Sequence, residues 1–149
     1  MEKFIIAISG QFDTGIEKVI DELNGYNNEN NIWLCPDGIS NSSGTLALHI
    51  AGNLQYFIGT VLGNTGYERK RDMEFSRRDV PRNELIAELK TTKSTVINTL
   101  RNISKQQIDS DYPLPFPDKV VSTHFILIHL ATHLNYHLGQ INYHRRLLG

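Results

Sequence analysis

The sequence predicts an all-α protein, a four-helix bundle forming a single domain over residues 1–149. Three observations predict it. Apolar residues recur at three- and four-residue spacing through four segments, the segments are parted by stretches rich in Asn, Gly and Pro, and no run alternates apolar with polar residues as a half-buried strand would. A chain of 149 residues can bury a substantial core without disulfide or metal staples, so a bound metal would serve chemistry rather than folding.

The first helix is expected from about Lys3 to Leu23, with Ile5, Ile8, Phe12, Ile16, Val19, Ile20 and Leu23 on one side and Gly10 and Gly15 weakening it. The polar stretch from Asn24 to Asn31 stops it, and Pro36-Asp37-Gly38 adds a turn. Ser42 or Ser43 suits the N-cap of a second helix running to about Leu62, with Leu46, Ile50, Leu54, Phe57 and Val61 inward. Residues 67–80 mix both charge signs and read as a solvated crossover, with arginines holding an anionic substrate as the rival reading. Pro81 opens a third helix to about Ile103, with Leu85, Leu89, Val96, Ile97, Leu100 and Ile103 as core; Thr91, Thr92, Ser94 and Thr95 lower its intrinsic propensity. Tyr112-Pro-Leu-Pro-Phe-Pro117 reads as an extended strap. The last helix starts at Lys119 or Ser122 and reaches Leu148, with Arg145 and Arg146 suiting its C-terminal dipole.

Composition narrows the function. Hydrophobic content of 40% and a formal net charge of −1 fit a soluble globular chain and give no general attraction to nucleic acid. No apolar run of twenty residues occurs, and Phe4-Ile5-Ile6-Ala7-Ile8 is too short for a signal segment, so a cytoplasmic protein without a membrane partner is expected. Cys35 is the single cysteine, which excludes an internal disulfide and a Cys-rich zinc module. Its apolar neighbours Trp33, Leu34 and Pro36 predict a packed, structural thiol.

The chemistry concentrates near the C-terminus, where His129, His133 and His137 follow one another at intervals of four and His144 comes one turn after Gln140. At about 100° per residue, and with His133 at zero, His129 lies near −40°, Gln140 near −20°, His144 near +20° and His137 near +40°. This narrow polar stripe borders the apolar side formed by Ile126, Leu130, Leu134, Ile141 and Leu148, so the imidazoles look into the bundle. His133 and His137 make a two-ligand clip, and a divalent ion needs a further donor: His129 or His144 locally, or His49 from the second helix. Taking His129, His133 and His137 together would spread the ligands over roughly 12 Å of rise, so another helix is the better source. The competing reading makes all of these hydrogen-bonding residues of a bundle, and His124 points elsewhere.

The segments Leu46-Ala-Leu-His-Ile-Ala-Gly-Asn-Leu54, Gly66-Tyr-Glu-Arg-Lys-Arg-Asp-Met-Glu-Phe75 and His129 to Arg146 resemble the DinB-like superfamily of small metal-binding helical proteins. The resemblance spans nearly the whole chain and is strongest at His133-Leu-Asn-Tyr-His137-Leu-Gly-Gln140. It implies an up-down-down-up bundle, commonly a homodimer, and a divalent ion, zinc or nickel foremost, held by His49, His133 and His137. The bacillithiol-dependent S-transferases and mycothiol-dependent isomerases of that superfamily imply a metal-dependent thiol S-transferase that takes a low-molecular-weight thiol. A metal-dependent hydrolase and a non-enzymatic metal-binding stress or structural dimer are the alternatives. Gln140 could hydrogen-bond a molecule held at the ion, and Asn53, one turn from His49, could orient that ring.

Overall fold

A computed structural model describes residues 2–149, and its regular structure is helical. Among these residues no strand forms; the nearest approach is an isolated bridge between Asp111 and Ser122. Helix α1 spans Glu2–Asn24 and buries Ile8, Phe12, Ile16, Val19, Ile20 and Leu23. Gly15 belongs to this packing rather than weakening it, since a Cβ there would stand 2.7 Å from Leu134 Cδ2. The stretch expected to be loop carries a short 3-10 turn, Glu29–Trp33, that buries Ile32.

Helix α2 covers Ser43–Leu54, and Ser42 caps it by accepting from the Thr45 amide at 3.2 Å. The helix continues through a wider π turn, Gln55–Thr60, and a last turn, Val61–Gly63. Leu46, Ile50 and Leu54 are buried as expected, but Ile58 and Leu62 take the core positions read for Phe57 and Val61, which are half-buried. The wide turn explains the shift, because a slower angular advance per residue keeps residues four apart in line. Asn64, at φ 50°, ends the helix in the left-handed region.

The crossover is mostly exposed, as expected, but not at every position. Helix α3, Arg71–Ser76, lies in it and buries Glu74, so the solvated reading of residues 67–80 is corrected at the position that matters most below. Helix α4 is Arg82–Asn102, with Pro81 as its cap rather than its first residue. Leu85, Leu89, Val96 and Leu100 are buried as expected, and Ile97 and Ile103 only partly. Thr92 is fully buried and returns its hydroxyl to the Glu88 carbonyl at 2.8 Å, which removes the cost of a polar group in the core. A further short helix, α5 at Lys105–Asp109, opens on a capping box between Ser104 and Gln107. The proline strap is tied down by Tyr112, whose buried hydroxyl donates to the Phe57 carbonyl at 2.7 Å. Helix α6, Thr123–Leu148, is capped by Ser122.

Helix α1 packs on α4 and α6, and α2 packs on α3, α4 and α6, so the four long helices close around one core. Helix α2 thus lies between α3 and α6 and carries His49, while α6 carries His133 and His137. Cys35 is a correction: it is exposed, because Ile32 and Trp33 make the apolar contacts of that segment and the chain then turns outward. Among the described residues no helix is long and apolar enough to cross a membrane.

Candidate metal centre

Two helices supply three rings to one point. His49, in the second turn of α2, is 7% exposed; His133 and His137 are half-buried on α6. The Nε2 atom of His133 lies 3.3 Å from Nε2 of His49 and 3.0 Å from Nε2 of His137. These three residues make a possible metal-binding group, one ligand atom from each lying within 4.8 Å of the others.

The outer nitrogens decide the chemistry of the inner ones. Nδ1 of His49 meets the Glu74 carboxylate at 2.9 Å, and Nδ1 of His137 meets Oε1 of Gln140 at 2.7 Å. An ionised carboxylate and an amide oxygen only accept, so both Nδ1 atoms carry the proton and both Nε2 atoms present lone pairs. One proton on His133 could bridge to one neighbour and would leave the other facing it unsatisfied. A cation satisfies all three. Nitrogens at 2.0–2.1 Å from a tetrahedral zinc would be about 3.3–3.4 Å apart; the 3.3 Å separation matches such an edge and the 3.0 Å one is a few tenths shorter. The donor set therefore fits a divalent ion.

Burial and neighbouring charge disfavour the protonated form of the two α6 rings. Burial, followed by the neighbouring His137, His49 and His129 and by Arg69, pushes His133 down to about 4. Burial also lowers His137, outweighing the Gln140 bond that favours its protonated form. Neutral imidazole is the form that ligates a metal.

Glu74 and Arg69 stand behind His49. Arg69 reaches Glu74 with two bonds, Nε to Oε1 at 2.7 Å and Nη2 to Oε2 at 3.0 Å. Burial raises the carboxyl pKa, but the bonds from His49 and Arg69 outweigh it and hold Glu74 below the ordinary carboxylate range. Room for this carboxylate comes from Gly52, where a Cβ would fall 2.1 Å from Glu74 Oε1. Phe75 closes the other side, its ring centroid 5.0 Å from that of His49.

The remaining candidates separate cleanly. Asn53 does not orient His49, since Glu74 holds the available nitrogen; its own Oδ1 is buried without a hydrogen-bond partner. His129 packs its ring against Phe116 and Phe125, outside the convergent trio. His144 is buried with Nε2 donating to the Leu34 carbonyl at 2.9 Å and Nδ1 bonded to the Tyr26 hydroxyl at 2.5 Å. His124 lies against Phe4. Glu74 and Arg69 were missed because both sit in the mixed-charge run; the one usable sign was Gly52, a notch three residues after His49, and spacing does not say which acid fills it.

The profile of one family, described as "Protein of unknown function (DUF1572)", matches residues 4–149. No curated protein and no solved structure gives a match.

Proposed function

The chain belongs to the DUF1572 family, and we propose that it acts as a divalent-metal-dependent, thiol-dependent S-transferase of the DinB-like type, with zinc or nickel held by His49, His133 and His137. One observation carries this reading: three imidazole nitrogens converge at 3.0 and 3.3 Å with the outer nitrogens of His49 and His137 tied to acceptors. When bound, the ion would supply Lewis acidity to a thiol or water taken into an open position.

The chain's own residues do the positioning. Glu74 fixes the ring of His49, Gln140 does the same for His137, and Arg69 keeps Glu74 ionised. His144 has both nitrogens bonded elsewhere and His129 lies outside the convergent group, which favours a three-donor catalytic site over a closed structural one. Cys35 sits on an exposed loop outside the trio, so the sulfur nucleophile of the proposed reaction comes from a low-molecular-weight thiol.

The same reading includes the up-down-down-up helix order, a homodimer, a cytoplasmic location, and neither nucleic acid nor membrane as partner. Support for the dimer comes from Phe125, Ile128 and Tyr136, large side chains left exposed at helical spacing on α6. Support against nucleic acid comes from the net charge of −1.

The test is conjugation of low-molecular-weight thiols with a reactive halide or epoxide, before and after chelation. A rate that needs both metal and thiol is expected. A rate that needs metal but ignores thiol would point to the hydrolase, and bound metal with no rate across several thiols to the non-enzymatic dimer.

A further inference from the structure

A cavity of about 320 Å³ is lined by α2, the C-terminal part of α6 and the turn that precedes α2. Leu46, three residues before His49, lines one side, and Gln140, three residues after His137, lines the other. Because Gln140 also holds His137 at 2.7 Å, a molecule seated in the cavity abuts the metal centre through that side chain. The larger cavity along α4, lined by Thr91, Ser94 and Asn98, touches none of the centre's residues.

The walls state the ligand's chemistry. Pro36, Ile39, Leu46, Tyr143 and Leu147 make the lining mainly apolar, and among the described residues no Asp, Glu, Lys or Arg contributes to it. His144 lines it too, with both ring nitrogens already bonded. Arg146 lies over the Tyr143 ring at 5.7 Å, outside the lining. Ser40, Asn41 and Gln140 are the neutral polar side chains of the wall, so a charged group entering here would lose water and meet no opposite charge in the lining. Ile39, Tyr143 and Leu147 are 40%, 67% and 73% exposed, an apolar surface left uncovered around one opening. The turn that brings Ile39 there is built in, since its amide donates to the Pro36 carbonyl at 2.9 Å and Gly38 takes φ 85°.

We propose that this cavity is the acceptor subsite, taking the neutral, apolar group of the electrophilic substrate. The inference rests on the transferase reading for its role and on the lining alone for its ligand class. At about 320 Å³ it is at the small end of the roughly 300–1,000 Å³ usual for ligand sites, so it suits a single ring or a short alkyl group.

The experiment uses the full ¹⁵N-labelled chain, chelated and zinc-loaded, titrated with benzyl alcohol and with benzoate. Saturable amide shifts at Gly38, Ile39 and Leu147 are expected with the alcohol in both forms, and binding weaker by about tenfold or more with the anion. Ile39→Glu with Leu147→Glu, both at exposed positions, should weaken the alcohol by about tenfold or more without changing zinc content. Leu147→Trp, which narrows the opening without adding charge, should act in the same direction. Absent shifts at these amides, equal binding of benzoate, or unaltered binding by the substituted chains would overturn the proposal. Alcohol binding without metal-dependent thiol transfer would keep the ligand class and remove the transferase; transfer without binding at these amides would do the reverse.

Discussion

His137 and His144 stand seven residues apart on the same helix and meet opposite fates. The protein completes His144: its Nε2 donates to the Leu34 carbonyl at 2.9 Å, and the Tyr26 hydroxyl bridges its Nδ1 at 2.5 Å and Ser43 Oγ at 2.7 Å. His137 is completed on one side only. Gln140 takes Nδ1, and Nε2 is left facing His133 at 3.0 Å. What separates a structural histidine from a candidate ligand is thus the partner of its second nitrogen, a tertiary property that spacing along the helix does not carry.

The largest effect should come from removing the residue at the middle of the open set. His133→Ala takes away the nitrogen that lies within 3.3 Å of both others, and the purified variant should lose its metal while remaining helical. Elemental analysis beside circular dichroism checks this. Equal metal in variant and parent would erase the distinction between the two histidines.

Next in size is the support behind the open set. Glu74→Gln keeps the shape but gives up the charge that polarises His49, and metal affinity should fall about 10–100-fold. Gly52→Ala should mimic it by a different route, since the added Cβ would come within 2.1 Å of Glu74 Oε1 and force the carboxylate aside. Competition with a chelating dye measures both. Wild-type affinity in the two variants would mean that the carboxylate serves folding alone.

The closed set should respond in the other currency. Tyr26→Phe strands His144 Nδ1 and the fully buried Ser43 hydroxyl, which costs about 1–3 kcal/mol of stability and leaves metal content unchanged. Denaturant unfolding with metal analysis on the same sample tests the pairing of outcomes. Loss of metal here would show that the two histidines belong to one network.

How far these roles were legible follows from where their information lies. The four long helices and the stripe of His133 and His137 are local, written in residues three and four apart, and the helices appear near the expected places. His49 stood among the possible further donors and only the resemblance chose it, because nothing within α2 says which ring will meet α6. Glu74 and Arg69 were hidden by a run of mixed charges that ordinarily stays in water; only the assembled fold turns one carboxylate inward under Gly52. Cys35 was misjudged because apolar neighbours do not bury a residue when the following turn carries it outward.

The smallest effect is a pH dependence that belongs to the open set. His133 is pushed down to about 4 by burial and then by the facing imidazoles, from an ordinary 6.5, and His137 is lowered as well. As pH falls below about 6.5 the unfolded chain takes up these protons before the folded one does, so unfolding is favoured. The stability of the metal-free protein should therefore be intact above that value and decline toward about 4. Glu74 is also depressed, but from 4.5, so its share is lost only below that and the decline between the two values belongs to the histidines. Thermal midpoints of chelated protein across this interval should fall more steeply for the parent than for His133→Ala. Parallel curves would mean that the buried lone pairs carry no protonation cost and that the open set is no more perturbed than surface imidazoles.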